Sequence, residues 1–169
     1  MPSIPETHVS ASGLRHAIGH FATGVAVVAS LDEAGEPAGA TVSAVSSLSL
    51  DPPLVLICLD LASNTLAAVR AHGAFTVNVL AAEHREVSAG FARSSLAATW
   101  DAVRHRRGHS GSPQLHDMLA TLDCRVEHHL PGGDHEIVVG RVLDVETNPD
   151  SGAEPLLHYR GAYARLERA

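Results

Sequence analysis

The chain has 169 residues, of which 45% are hydrophobic and 18% charged, so it is long enough to build its own core and is not disordered. Its formal net charge of −7 argues against general nucleic-acid binding, which needs a basic surface. The opening residues 1–6 lack the pattern of a signal peptide, and the most apolar stretch, 53–59, is far shorter than the roughly 20 residues of a membrane helix. We therefore expect one cytoplasmic domain over residues 1–169, with 1–9 as a loose arm and no membrane contact.

The first part of the chain predicts one helix followed by strands. Ser10 or Ser12 caps the helix, Gly24 ends it, and its apolar face repeats at helical spacing. The members of that face are Leu14, Ala17, Ile18 and Phe21. Residues 25–31 and 39–46 follow as a hairpin around the turn 32–37, because both are rich in β-branched or alternating residues.

The rest of the chain predicts more strands with two short helices between them. The expected strands are 54–59, apolar on both faces and so central, then 75–80, 119–130, 135–147 and 156–166. The expected helices are 65–72, capped by 63–65 and closed by Gly73, and 82–93, with an irregular segment over 94–112. Since there is no regular alternation of strands and helices, we expect a mainly β protein with peripheral helices, built as a split or closed antiparallel barrel.

Several common functional motifs are absent or misspaced. No GxGxxG or Walker A sequence is present, and the glycines of Gly108–Ser112 are wrongly spaced for a GxSxG nucleophile elbow. His128 and His129 are adjacent on a strand and point to opposite faces, and no HExxH or CxxC occurs, so no metal is expected. The basic run Arg104–Arg107 is either a solvated loop, which we favour, or an attractor for dinucleotide phosphates.

Cys58 and Cys124 are the two cysteines of the chain, and each lies within an apolar, strand-like run. Buried free thiols are the favoured interpretation, and a disulfide or a reactive thiol stays open.

Three segments carry more chemistry than the others. Residues 39–56 combine small hydroxyl side chains with a Pro-Pro corner, so a flat ligand could approach the backbone closely. Residues 63–65 open a helix, and a helix N-terminus binds phosphate through its free N–H groups. His135 follows the turn Gly132–Asp134 at the start of a strand, where its imidazole could face a cleft. Each feature alone also fits an edge strand, an ordinary helix cap or an exposed hairpin histidine.

Taken in order, these segments resemble the short-chain flavin reductase family, which has the FMN-binding split-barrel fold. The matching segments are Phe21–Val28, Gly39–Ser43, Ser47–Val55, Ser63–Thr65, Gly73–Leu80, Gly133–His135 and Pro155–Tyr163. They run in sequence over most of the chain.

The resemblance implies a set of binding residues. The cradle of the flavin ring would comprise Thr41, Val42, Ser43, Ser46, Ser47, Ser49 and Asp51. Phosphate binding would fall to Ser63 and Thr65, and the other cofactor-binding residues would be Cys58, Asn64, Phe91, Ala92, Arg93 and Tyr163. The nicotinamide side of the cleft would comprise Gly133, Asp134 and His135, with His135 positioning the nicotinamide. Asn64 stands where the family often has arginine, and His158 where an aromatic residue is common.

The resemblance also implies an activity. NADH or NADPH would reduce FMN or FAD, and the reduced flavin would pass to a partner monooxygenase. The family's barrel is dimeric, so we expect a homodimer. The alternative is a flavin carrier or sensor of the same fold without catalysis.

Overall fold

The computed structural model describes residues 9–93, 97–148 and 153–166. Most of the predicted N-terminal arm, residues 1–8, therefore lies outside the described residues, as do residues 94–96 of the segment predicted to be irregular. Within the described ranges, no helix is long and apolar enough to cross a membrane.

The described chain consists of helices, short strands and two long strands. The helices are α1 (Ala11–Ile18), α2 (Asn64–His72), α3 (Arg85–Arg93), preceded by a 3-10 turn at Ala82–His84, and α4 (Ala97–Asp101). The strands are β1 (Thr23–Gly24), β2 (Ala26–Leu31), β3 (Pro37–Val42), β4 (Val45–Leu50), β5 (Pro53–Asp60), β6 (Ala74–Val79), β7 (His105–Arg107), β8 (Pro113–Leu115), β9 (Ala120–Gly132), β10 (His135–Thr147), β11 (Leu157–Tyr159) and β12 (Ala162–Ala164).

Seven of these strands form one antiparallel sheet in the order β3-β2-β6-β9-β10-β5-β4. Its two edge strands, β3 and β4, are consecutive in the chain, and only Ser43 and Ala44 separate them. A two-residue link holds the two edges close together, so the sheet must curl into a barrel that is split between β3 and β4. The predicted split antiparallel barrel is confirmed.

The prediction of a single strand over 39–46 is wrong. The strand is interrupted at Ser43 and Ala44, and this interruption is the split in the barrel. Up to Val42 the chain pairs with β2, and from Val45 it pairs with β5, where Val45 lies opposite Ile57. Ser43 and Ala44 are exposed between these partners. Because the alternation of small and apolar residues continues through the break, the sequence pattern gives no sign of the change of partner.

The barrel interior is filled by one face of each strand and by α2. Val28, Ile57, Val77 and Val138 are fully buried there, and α2 adds further apolar side chains such as Leu66. This burial follows from the period of two along each strand, which sends alternate residues inward.

The barrel interior leaves no room for a side chain at Gly140 of β10. A Cβ there would come within 2.5 Å of the Phe75 ring and 3.1 Å of Cys124 Cβ. The register of β9 and β10 shifts between Val139 and Gly140, as expected for a bulge where two chain segments approach closely.

A second apolar layer covers the outside of β2 and β6. Phe91 of α3 and Trp100 of α4 pack edge to face at 4.9 Å between ring centroids, against Val27 and Leu80. Gly39 of β3 lies beneath these rings, because a Cβ there would be 2.9 Å from Trp100 and 3.0 Å from Phe91.

The predicted caps of α2 are confirmed. Ser63 Oγ accepts a hydrogen bond from the Thr65 backbone N–H at 3.2 Å, and Gly73 closes the helix at φ 71°. A residue at positive φ after a helix is usually glycine because it has no Cβ to clash. Ser10 caps α1 by accepting from the Gly13 N–H at 3.1 Å.

Three further elements differ from the prediction. α1 ends at Ile18, and Gly24 instead ends the short strand β1. The segment 97–112 contains α4 and β7 and is not irregular throughout. Residues 156–166 form the hairpin β11–β12, because Arg160 and Gly161 both adopt positive φ, the conformation of a tight two-residue turn.

The apolar face predicted for the first helix is present but uncovered in the described chain. Leu14, Ile18 and Phe21 are 59%, 61% and 70% exposed. The edge strand β4 adds Leu50, which is 90% exposed. Large exposed apolar side chains commonly mark an interaction surface when they form a contiguous patch.

Candidate functional site

A cavity of about 270 Å³ lies at the split of the barrel. We call it the His135 cavity; it is lined by Ala40, Thr41, Val42, Ser43, Ala44, Cys58, Leu59, Asp60, Ser63 and His135. Its β3 and link residues are mostly small, so a ligand there comes close to the backbone. The interruption of the sheet thus leaves an opening, and the chain places hydroxyls and small side chains around it.

His135 occupies one wall of this cavity. It is the first residue of β10 and lies opposite Asp60 of β5 in the antiparallel register. Its Nδ1 is 2.7 Å from Asp134 Oδ1, and the Leu61 N–H donates to the Asp134 carbonyl oxygen at 3.0 Å. The His135 hydrogen bond, with the ring's positive charge when protonated, holds the pKa of Asp134 below its ordinary value. In the neutral ring, Nδ1–H donates to this carboxylate and leaves the lone pair on Nε2.

Ser63 brings the start of α2 into the same cavity. Its hydroxyl oxygen already accepts from the Thr65 N–H, but the hydroxyl proton can still be donated to a ligand. The Thr65 side chain is 1% exposed and is packed in the protein, whereas Asn64 is exposed. Of the two predicted phosphate-binding residues, Ser63 and Thr65, only Ser63 therefore lines the cavity, and the neighbouring Asn64 does not line it either.

A chain of hydrogen bonds connects the cavity to the outer layer through Ser88 of α3. Thr41 Oγ1 donates to the Ser88 carbonyl oxygen at 2.7 Å, and Ser88 Oγ is 2.8 Å from Tyr163 Oη. Arg85 lies over the Tyr163 ring at 5.2 Å from its centroid. Tyr163 therefore supports β3 from behind through Ser88 and does not line the His135 cavity.

The other predicted flavin contacts lie away from the cavity wall. Ser46, Ser47, Ser49 and Asp51 follow along the edge strand β4 and its end, and all but the half-buried Ser49 are exposed. Phe91 is 3% exposed in the outer layer, while Ala92 and Arg93 are exposed at the end of α3, where Arg93 Nε donates to the Ala89 carbonyl oxygen at 3.2 Å. Gly133 forms the turn before Asp134 at φ 77°.

A second cavity of about 300 Å³ adjoins the first and shares Ser43 with it. We call it the Phe21 cavity; it is lined by Phe21, Ala22, Thr23, Gly24, Val25, Ala26, Ser43, Val45 and Val79. No binding role was predicted for the segment 21–26 from the sequence, although 21–28 belongs to the resemblance. Asp60 was also missed, and its signal was a carboxylate directly after the apolar run 54–59.

The basic run lies at a different place on the molecule. Arg106 of β7 forms an ion pair with Glu146, and both line a depression of about 260 Å³ near the end of β10. None of the residues that line this depression lines the His135 cavity. The run is exposed and forms a short strand with β8, in place of the expected loop.

The two cysteines have different surroundings. Both are free thiols, and Cys124 is fully buried in the barrel interior, where burial raises the pKa of its thiol to about 12. Cys58 is half-buried and lines the His135 cavity. The favoured prediction of buried free thiols therefore holds in full for Cys124 and only in part for Cys58.

Fold and cavity together define a class of protein: a split antiparallel β-barrel with a cavity at the opening of its sheet. The flavin reductase like domain family matches residues 18–167. The chain therefore belongs to this family, and the family predicted from the sequence is confirmed.

Individual relatives agree with the family match. A probable flavin reductase of Rhizobium meliloti is 41% identical over 89% of this chain, which spans only 47% of that protein's length. The reductase component of 4-nitrophenol 4-monooxygenase/4-nitrocatechol 2-monooxygenase from Rhodococcus opacus is 39% identical, over 90% of this chain and 79% of its own. The solved structure of Streptomyces globisporus C-1027 NADH:FAD oxidoreductase SgcE6 in complex with NAD and FAD fragments superimposes with a TM-score of 0.84 at 33% identity, covering 92% of each chain.

The surroundings of the cysteines predict that they react differently with a thiol reagent. At about pH 8, Cys58 should be modified in the folded protein and Cys124 should not, because only the thiolate reacts and burial suppresses its formation at Cys124. Adding FMN should slow the reaction of Cys58, since that side chain lines the His135 cavity. Mass spectrometry of labelled peptides measures both.

The Cys58→Ser variant is the control and should take up no label until it is unfolded. Rapid labelling of Cys124 in the folded protein would contradict its placement in the barrel interior. Equal labelling rates of Cys58 with and without saturating FMN would show that flavin binds elsewhere.

Proposed function

We propose that this protein is an NAD(P)H-dependent flavin reductase that works at the His135 cavity. The observation that carries the proposal is that one opening in the barrel brings together the N-terminus of α2, small residues of β3 and an oriented histidine. These are the groups needed to bind a phosphate, a flat ring and a second nucleotide side by side. Family membership supports the same activity.

The described residues fit a flavin. The cavity volume of about 270 Å³ is sufficient for a ring system but not for a whole dinucleotide, and the adjoining Phe21 cavity provides further space. Ala40, Ser43 and Ala44 leave the backbone accessible to a planar ring, and Ser63 presents a hydroxyl at the helix N-terminus where a phosphate is favoured. When bound, the flavin supplies a ring that accepts a hydride from the reduced nicotinamide.

His135 positions the nicotinamide in this proposal. Asp134 fixes the ring through Nδ1, so Nε2 of the neutral imidazole can accept an N–H from a carboxamide. His135 neither takes nor gives a proton that the reaction requires. Its contribution is to hold the donor against the flavin, which lowers the entropic part of the barrier.

The reduced flavin would leave for a partner monooxygenase. Ser43 and Ala44 are exposed at the opening, so a flavin bound there has direct access to solvent. The Rhodococcus opacus relative is named as the reductase component of a monooxygenase, which favours this role over that of a carrier or sensor.

One assay separates the reductase from its alternatives. NADH and NADPH oxidation is measured with and without added free FMN or FAD. Oxidation that depends on added flavin and continues for many turnovers supports the proposal. A protein that binds flavin but oxidises neither nicotinamide is a carrier or sensor, and turnover that needs a different acceptor indicates another oxidoreductase.

The active form would be a homodimer. Leu14 and Ile18 of α1, Phe21 after it and Leu50 of β4 are large apolar side chains that face water in the single chain, and Phe21 also lines the Phe21 cavity. A second copy of the chain would cover them, in line with the dimeric barrel implied by the family resemblance.

Light scattering should therefore give a dimer at micromolar concentration. The Leu50→Glu variant should shift the protein towards the monomer, because it places a charge on a side chain that is 90% exposed in the single chain and buried in the dimer. A monomeric wild-type protein would contradict the dimer. An unchanged dimer in the variant would place the interface away from Leu50.

Replacing Ser63 with alanine should weaken FMN binding by about 1–2 kcal/mol, through the loss of a hydrogen bond to a charged group. Riboflavin has no phosphate, so its affinity should change little. Binding is measured by quenching of flavin fluorescence. Since Ser63 also caps α2, the melting temperature is recorded as well; a cap effect alone would weaken FMN and riboflavin equally and would contradict the phosphate role.

Replacing His135 with alanine should raise KM for the nicotinamide and lower kcat/KM by about tenfold to a hundredfold, because a positioning contact is lost. Flavin affinity should remain nearly intact. Steady-state kinetics at saturating flavin measures the effect. The matched control is His109→Ala, since His109 is exposed and does not line the cavity. Kinetics equal to the control in a folded His135→Ala protein would contradict the assignment.

A further inference from the structure

Glu136 is a buried carboxylate next to His135 that the proposed reaction does not use. It is 8% exposed and, as the following residue of β10, points to the opposite face from His135. Three hydrogen bonds reach it: Arg70 donates through Nε at 3.2 Å and through Nη2, and His129 Nδ1 lies at 2.7 Å. The Arg70 hydrogen bonds hold the pKa of Glu136 below its ordinary value, so the carboxylate is ionised at neutral pH.

The partner of this carboxylate belongs to the helix that begins at the cavity. Arg70 lies in the last turn of α2, a helix of nine residues whose N-cap is Ser63. A short helix moves as a rigid body, so fixing Arg70 also fixes the direction in which Ser63 presents its hydroxyl. In the turn that precedes α2, the Leu61 N–H donates to the Asp134 carbonyl oxygen at 3.0 Å. The ion pair in the last turn of α2 and this contact just before the helix therefore connect it to β10 and to the turn that leads into β10.

The carboxylate of this ion pair is buried, but the Arg70 side chain is 49% exposed, so water screens the attraction and the pair contributes little net stability. The bidentate contact between Arg70 and Glu136 instead fixes the relative orientation of the two side chains, because a planar guanidinium fits a carboxylate in one defined geometry. This points to a role in holding the two sides of the cavity in register.

We propose that Arg70, Glu136 and His129 form a positioning cluster that couples the flavin side of the His135 cavity, at Ser63, to its nicotinamide side, at His135. None of the three lines the cavity, so each acts through another residue. The inference rests on the proposed reductase function. It predicts that breaking the cluster weakens the binding of flavin and of nicotinamide together. A change at Ser63 should weaken only flavin binding, and a change at His135 only nicotinamide binding.

The test uses the full-length Glu136→Gln variant, which keeps the side-chain shape and removes the charge. We measure the Kd for FMN without nicotinamide, KM for NADH at saturating flavin, and the melting temperature. Both Kd and KM should rise by about 3- to 30-fold, the range typical of mutations that act on a site through intervening residues. The kcat value should stay within about twofold.

The chain offers a matched control in the ion pair Arg141–Glu127, which joins the same two strands, β9 and β10, and does not line the cavity. Glu127→Gln should leave Kd and KM within about twofold of the wild type, whatever its effect on melting. If Glu136→Gln lowers only the melting temperature, or moves only one of the two constants, the inference is overturned.

Arg70→Lys is the second variant and decides the question if Glu136→Gln does not fold. Lysine keeps the positive charge but cannot make the bidentate hydrogen bonds of the guanidinium. The Kd for FMN and the KM for NADH should therefore again rise together, by a smaller factor than in Glu136→Gln. Constants equal to the wild type in Arg70→Lys would overturn the inference. Failure of the proposed function is distinct, because then the wild-type protein itself would not oxidise NADH in the presence of flavin.

Discussion

The two-residue link between the edge strands of the sheet is the constraint on which the rest of the structure depends. Ser43 and Ala44 hold β3 and β4 close together, while β3 pairs with β2 and β4 pairs with β5. The sheet must therefore curl, yet its edges are not joined by a continuous ladder. The His135 cavity forms at the opening that remains. The split in the barrel and the candidate site therefore both result from the change of strand partner at Ser43 and Ala44.

Helix α2 contributes both to the barrel core and to the candidate site. α2 buries Leu66 and Val69 in the interior, and this packing fixes a helix whose first turn faces the opening. The same helix ends in the ion pair with Glu136, beside His135. One rigid element thus serves the core with its apolar face and the cavity with its N-terminus. This is the arrangement expected of a site that must hold two ligands in register.

The outer layer supports the site from behind. Trp100 and Phe91 pack where Gly39 leaves room, and Ser88 connects Thr41 to Tyr163. Several residues that the family resemblance associates with flavin therefore lie behind the cavity or along its edge strand and not on its wall. Tyr163 supports β3 through Ser88, and the residues of β4 and of the end of α3 could contact only a ligand that extends beyond the His135 cavity.

The sequence by itself determined the mainly β class, most of the elements and the caps of α2, because these features depend on local spacing, turn residues and capping, which act within a few residues. The family resemblance also led to the prediction that 41–43, Ser63 and His135 are site residues, and the structure places Thr41, Val42, Ser43, Ser63 and His135 around one cavity. Only the tertiary structure decided where β3 changes partner, that Thr65 is buried, and that Asp60 and Phe21 line cavities. It alone brought Arg70 to Glu136, 66 residues apart. Alternation of side chains sets which face points inward but not which strand lies next to it, because strand pairing is a long-range contact that leaves no periodic signal.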